Sequence, residues 1–430
     1  MSRRPSRRRA GGLLLTALIA AGCGTAPAPS GVTPSAGASG SPGTSSPAAT
    51  PEPTTHEVAF DWGKADVVDA PPGDATETTP PYINPGSLGH PQAYQGGQAD
   101  LLDVALTSVG LVAVGYDDRA VTAGAWLSTD PRQWHRIAAF PASDGSQAVA
   151  VAGGPAGVVA VGASGDHAAA WSSTDGRSWS AAPDGPDFHG STQLRMTGVA
   201  SSPAGYVAVG YMGSLAGPIE ARFWWSPDGR SWRLATLDGP PAGTRAAAVE
   251  AVPGGGFVAV GATGDARTAD GSAAWTSPDG RTWTRVAGQA ALRQGVMRKL
   301  TAAGGLGLVA VGNSADSTRA VAWRSTDGTD WTVAPDAPSL DNFGLGIEMH
   351  DVAWDGMRLV AVGHRLFGTQ YPTGVVWVST DATTWDRATE SAALSQGKVD
   401  GVAAVGGGFA AVGTFGAPDA AIPTVWLSPP

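Results

Sequence analysis

The pattern W-x-S-x-D-x-x-x-W occurs six times in this chain, starting at Trp126, Trp171, Trp224, Trp275, Trp323 and Trp377, and a seventh copy begins at Trp426 and stops at the C-terminus. Ahead of each copy an apolar run ends in Val-Gly, at Gly115, Gly162, Gly210, Gly261, Gly312, Gly363 and Gly413, so successive glycines lie 47, 48, 51, 51, 51 and 50 residues apart. A period near 50 that holds several short apolar runs predicts a β-propeller with one blade per repeat. The expected fold is therefore all-β: seven blades of four antiparallel strands.

One repeat shows how a blade follows from its residues. Ala247–Val252 is a short apolar run, and Pro253-Gly254-Gly255-Gly256 has the composition of a tight turn. Phe257–Gly261 is a second run, followed by a polar loop, a third run at Ala273–Thr276, a turn at Ser277–Arg281 and a fourth run at Trp283–Val286. The inner runs lack polar alternation, as strands covered on both faces should. The fourth run alternates, as a rim strand should.

The recurring turn resembles the Asp-box, or BNR repeat, of sialidase-like propellers, S-x-D-x-G-x-T-W. It reads Ser173–Trp179, Ser226–Trp232, Ser277–Trp283 and Ser325–Trp331, and drifts at Pro131 in Ser128–Trp134 and at Ala382 in Ser379–Trp385. The resemblance covers Leu101–Pro430. The aspartates Asp130, Asp175, Asp228, Asp279, Asp327 and Asp381 are read as structural: their carboxylates bond the backbone of the turn, and Gly tolerates a positive φ. Apart from Asp330 in the Ser325–Trp331 copy, no second carboxylate stands in the turn to complete a metal cage, so no metal site is expected there. The sialidase family also uses an arginine triad, a Tyr/Glu nucleophile pair, an Asp acid/base and an Arg-Ile-Pro motif. That motif is missing, and no tyrosine has an evident Glu partner. Fold resemblance alone does not carry activity.

Of 16 tryptophans, seven sit on third strands and six open fourth strands, at Trp134, Trp179, Trp232, Trp283, Trp331 and Trp385. The last blade lacks its fourth strand. Trp62-Gly63-Lys64-Ala65 is similar to the fourth-strand starts, so the segment around Phe60–Val68 is expected to close the ring as the outer strand of blade 7, removing an exposed edge.

The N-terminal hundred residues differ in composition. Arg3, Arg4, Arg7, Arg8 and Arg9 precede the apolar Leu13–Ala21, which is too short to span a bilayer and has the layout of an export signal. It ends in Ala20-Ala21-Gly22-Cys23, which resembles the lipobox of bacterial lipoproteins. The resemblance implies lipidation at Cys23, the single cysteine, and a location on the outer face of the cytoplasmic membrane. The expected organisation is a signal peptide over 1–22, a disordered Ala/Ser/Pro/Thr/Gly tether over 23–55, and a propeller over 56–430. Within the last, 56–68 is the closing strand, 69–99 a long loop or cap, and 100–430 the repeats. After the signal, 22 basic against 37 acidic residues leave a net charge of −15. That charge excludes nucleic acid as the expected partner. The anticipated partners are the membrane, through the lipid, and a protein or glycan ligand, with the chain itself a monomer. No cofactor is expected.

Strand order places A–B turns and Asp-box turns on one uniform face, and B–C and D–A loops on the other. The second face varies, with Tyr116–Arg119, Tyr211–Arg222, Thr263–Gly271 and His364–Tyr371 among its B–C loops. Variable loops on a fixed scaffold are where binding sits. Strand A is innermost, so residues just before it ring a central channel. Aligned on the Val-Gly these include Asp100, Gln147, Arg195, Arg245, Glu348 and Lys398, with Arg298, His350 and Asp400 nearby. The candidate ligand-binding residues at this mouth are Arg195, Arg245, Arg298, Glu348, His350 and Asp400. No catalytic residue is assigned. The expected function is a binding or scaffold module. The alternative is a divergent sialidase-like glycoside hydrolase, which needs two carboxylates about 5–10 Å apart.

Overall fold

A computed structural model describes residues 66–69, 99–117, 122–137, 140–141, 145–214, 219–265, 268–342, 346–365, 372–389, 393–416 and 422–428. They form a seven-bladed propeller. Blade 1 consists of Ala99–Thr107, Gly110–Asp117, Thr122–Asp130 and Gln133–Arg136, strands A to D in meander order. Blades 2 to 6 repeat this plan, their A strands being Ser146–Gly154, Leu194–Ser202, Thr244–Ala251, Val296–Ala302 and Ile347–Trp354. Blade 4 gains a fifth strand, Thr236–Asp238, which lies parallel to its D strand Thr282–Arg285.

Blade 7 takes strands A to C from Gly397–Val405, Gly408–Phe415 and Ile422–Leu427, and its fourth strand is Asp66–Asp69. The ring is therefore closed by an N-terminal strand, but in a different register from the one Trp62 implied. In the other six blades the C-strand Trp pairs with the residue two beyond the D-strand Trp, as Trp126 with Arg136 and Trp323 with Val333. In blade 7, Trp426 pairs with Val67. Counting back two reaches Ala65, so the likeness of Trp62 to the other fourth-strand tryptophans is offset by three residues. Trp62 itself, Cys23, the tether and nearly all of 69–99 lie outside the described residues.

No single central core exists among the described residues. Seven apolar clusters each join two neighbouring blades, for example Trp126 and Trp134 with Val412 and Val425 across the closing interface. Trp171, Trp224, Trp323, Trp377 and Trp426 of the C strands bond outward as well. The indole N–H of Trp224 donates to Asp187 O at 2.8 Å and that of Trp377 to Ser339 O at 2.9 Å, so each indole pins the connection arriving from the previous blade. The Trp385 indole nitrogen has no partner among the described residues, but the other five D-strand tryptophans brace the turn before them, as Trp179 does on Gly176 O at 3.1 Å. In that turn Asp175 Oδ1 accepts the amides of Arg177 and Ser178 at 2.8 and 2.7 Å. These amides hold the carboxyl down to about 2. Trp225 lies outside this scheme, under the Arg281 guanidinium at 4.3 Å, and Trp354 packs beside the blade 5–6 cluster.

Every A strand carries a bulge at the same place, between Leu101 and Asp103, Met297 and Lys299, Met349 and Asp351, and at the equivalent points elsewhere. The Val-Gly glycine of strand B faces it. A Cβ on Gly312 would sit 1.9 Å from Val296 O, and the other six positions are equally crowded. Close backbone approach, rather than a special φ, explains the glycine.

Gly312→Ala is therefore expected to cost about 2–4 kcal/mol, measured by chemical denaturation. Gly288→Ala, where an added Cβ meets nothing within 4 Å, should leave the midpoint nearly unchanged. Deleting the chain through Asp69 should lower the melting temperature clearly, because it strips the strand that covers Trp426.

Candidate functional site

The glycine register fixes which residues stand at the channel mouth. The residue before each Gly partner on strand A is Asp100, Gln147, Arg195, Arg245, Val296, Glu348 or Lys398. Two residues further on comes the bulge, which holds Arg298 in blade 5, His350 in blade 6 and Asp400 in blade 7. A bulge re-aims side chains at a strand end. Here it adds a second row of charges to the mouth.

Four of the six candidate residues join in one chain across blades 5, 6 and 7. Arg298 Nε donates to Asn313 Oδ1 at 2.6 Å, and its Nη2 lies 2.9 Å from Glu348 Oε2. His350 Nε2 lies 3.2 Å from the same oxygen, and His350 Nδ1 lies 3.1 Å from Asp400 Oδ1. Lys398 Nζ stands 3.0 Å from Asp400 Oδ2. His364, paired in register with Glu348, stacks obliquely on His350 with centroids 4.6 Å apart.

The electrostatics follow from these contacts. Burial disfavours ionised Glu348, but the His350 hydrogen bond and the Arg298 charge outweigh it and hold the carboxyl at about 2. Asp400 is lowered against the same burial by His350 and Lys398. Burial opposes a charged His350, and its bonds to Asp400 and Glu348 raise its pKa nonetheless. Burial and the neighbouring His350 push His364 down to about 4. The mouth thus holds two ionised carboxylates astride one imidazole.

The remaining two candidates stand apart from that chain. Arg195 Nη2 donates to Gln193 Oε1 at 3.2 Å. Arg245 is lowered first by burial, with Tyr211, Arg298 and Asp265 acting on its charge. The mouth therefore has a basic sector on blades 3 to 5 and a carboxylate–imidazole sector on blades 6 and 7. The tips of several surrounding B–C loops, residues 118–121, 215–218, 266–267 and 366–371, lie outside the described residues.

A second polar cluster, deeper in the channel, was not anticipated. Lys299 Nζ reaches Asp103 Oδ1 at 2.6 Å and Asp351 Oδ1 at 3.8 Å. The other oxygen of each aspartate caps an amide of the next blade, Val151 N and Val402 N, both at 2.8 Å. These groups and Glu250 line a cavity of roughly 300 Å³. Burial works against the Lys299 charge, but Asp103 and Asp351 carry its pKa well above the ordinary lysine range. Burial drives Glu250 up to about 7, opposed by Lys299 and reinforced by Asp351. The available signal was a charge inside three of the seven inner apolar runs: Asp103 before Val104, Lys299 before Leu300, Asp351 before Val352. In the sequence His364 stands only at the start of a B–C loop.

Solved structures similar to this chain include a sialidase from Trypanosoma rangeli, 12% identical, with a TM-score of 0.44 over 77% of this chain and 55% of that one. Another is YCF48 from Cyanidioschyzon merolae, 13% identical, TM-score 0.46, covering 78% and 97%. A third is an exo-beta-1,3-galactanase from Phanerochaete chrysosporium, 12% identical, TM-score 0.37, covering 54% and 59%. The chain thus spans little more than half the length of the sialidase. No family model matches the chain, and no curated protein does.

The folded chain keeps the Glu250 proton to about pH 7, whereas an unperturbed glutamate releases it near 4.5. Across that window the folded state binds more protons, so this group makes stability fall as pH rises. Glu250→Gln is expected to flatten that decline, giving a variant that gains on the parent in denaturation midpoint between pH 5 and pH 8. An unchanged pH profile would contradict the assignment.

Proposed function

We propose that the chain is an extracytoplasmic binding or scaffold module, anchored to the membrane by a lipid on Cys23, that engages a protein or glycan ligand at the channel mouth. The observation that carries this reading is the mouth itself. Arg195, Arg245 and Arg298 form a basic sector beside a sector in which Glu348 and Asp400 are already ionised and paired. Fixed, opposed charges on rigid strands recognise a partner by electrostatic complementarity. The arginines suit carboxylate or other anionic groups, because a guanidinium offers a planar fork of donors.

The alternative is a divergent sialidase-like glycoside hydrolase. Its support is that Glu348 and Asp400 flank one imidazole, which keeps two carboxylates near each other at the mouth. Retaining and inverting mechanisms both need one carboxyl that stays protonated until it reaches the leaving group. Both of these carboxyls are instead held below their ordinary range. That electrostatic setting favours binding over acid catalysis.

Two measurements test the proposal. Glycan arrays and pull-downs from envelope extract should give a captured ligand whose affinity falls about 100-fold in an Arg245→Glu/Arg298→Glu variant. Hydrolysis of sialosides or galactosides that disappears in Glu348→Gln would replace this reading with the hydrolase. For the anchor, Cys23→Ala should move the protein from the membrane to the soluble fraction and abolish labelling by a fatty-acid analogue. Unchanged fractionation would remove the lipid from the proposal.

A further inference from the structure

We propose that Glu348, His350 and His364 bind one divalent transition-metal ion of the zinc class at the channel mouth. One donor atom from each of the three lies within 4.8 Å of the others. Two imidazoles and a carboxylate are the donor set of three-ligand zinc sites and of the facial triads of non-haem iron. Backbone geometry brings them together, since Glu348 and His364 are register partners on strands A and B of blade 6. His350 follows two residues after Glu348, at the bulge. Ligands held on paired strands need little reorganisation to close on an ion.

The finer geometry fits. His350 Nε2 and Glu348 Oε2 are 3.2 Å apart. That matches the edge of a tetrahedron whose bonds are about 2.0 Å, which is about 3.3 Å. The third donor, within 4.8 Å of the other two, would move inward by up to about 1.5 Å to complete the face. Asp400 Oδ1 sits 3.1 Å from His350 Nδ1. A carboxylate on that nitrogen fixes the ring and leaves Nε2 for the ion, the arrangement common behind metal-bound histidines. Without metal, the Nε2 proton bonds Glu348; the ion takes that proton's place. Arg298 and Lys398 in turn brace the two carboxylates.

An independent observation also points to a ligand. His364 Nδ1 is buried and has no hydrogen-bond partner among the described residues. Buried imidazole nitrogens are rarely left unsatisfied, so this one calls for an explanation. Drawing the His364 ring to an ion gives this unsatisfied nitrogen's burial a purpose that ion pairing around Glu348 does not. Three protein ligands leave a coordination position for water or for an anionic group of a bound partner.

The test uses the full-length chain carrying Cys23→Ala, which removes the single thiol as a competing ligand. Calorimetry with zinc alone should show one ion per chain with a micromolar or tighter Kd. Cobalt(II) should give the intense visible bands of a four-coordinate site. His350→Ala and His364→Ala should each weaken binding by about 100-fold, and Asp400→Asn by about 10-fold. His167→Ala, in the separate His167–His189 pair, should leave it unchanged. Absence of saturable binding, or full binding retained in the His350→Ala/His364→Ala double variant, overturns the site. Should those variants fail to fold, X-ray absorption of the zinc-loaded parent decides: two imidazoles in the first shell support the proposal, and fewer overturn it.

Discussion

The backbone contact between each inner-strand bulge and the glycine opposite it is the constraint on which the rest of this propeller depends. A carbonyl pressed against Gly115, Gly312 or Gly413 leaves no room for a side chain. The contact sets the A–B register in every blade. Register in turn decides which residues meet the neighbouring blade and which meet the channel. Because the bulge adds one residue to the inner strand, it rotates the following side chain out of simple alternation. The charged rows at the mouth and the deeper Lys299 cluster both originate at that step.

Burial is distributed around the ring rather than gathered at its centre. Each blade presents one face to each neighbour, so each apolar cluster is shared and none belongs to a single repeat. Solenoids share this nearest-neighbour logic but leave their ends capped with polar residues. A closed ring has no ends, provided that one strand from the far side of the chain completes the last blade. Asp66–Asp69 does this with four residues and two valines. The large tryptophans then lock the circumference, ten of those described with the indole nitrogen bonded to the connection from the preceding blade or to their own turn.

Much of the fold was legible in the sequence because it is written seven times. The Val-Gly and the tryptophans recur in phase, and phase alone gives the number of blades, the strand order and the faces. The ring residues from Asp100 to Lys398 could be placed because they are counted from the same glycine. What resisted reading was whatever departs from that count. The bulge leaves no residue signature of its own, so Asp103, Lys299 and Asp351 looked like isolated charges in apolar runs. His364 was hidden because its importance comes from a partner across the sheet, sixteen positions earlier at Glu348. The closing strand was expected from its tryptophan, yet fourth strands are only two to four residues long and carry little register information. Their pairing is set by the neighbouring third strand, and Trp426 selects Val67.

Lys299 reaches from blade 5 to Asp103 of blade 1, two blades that are not neighbours in the ring. It therefore acts as a spoke laid across a wheel, tying opposite sides that the circumferential contacts alone would leave free to move. A ring held only at its rim can flatten into an ellipse at little cost in any one interface. A charged strut across the axis resists that mode. Seen from the loop face, a ligand seated at the mouth would find that strut beneath it, a lysine held between two aspartates.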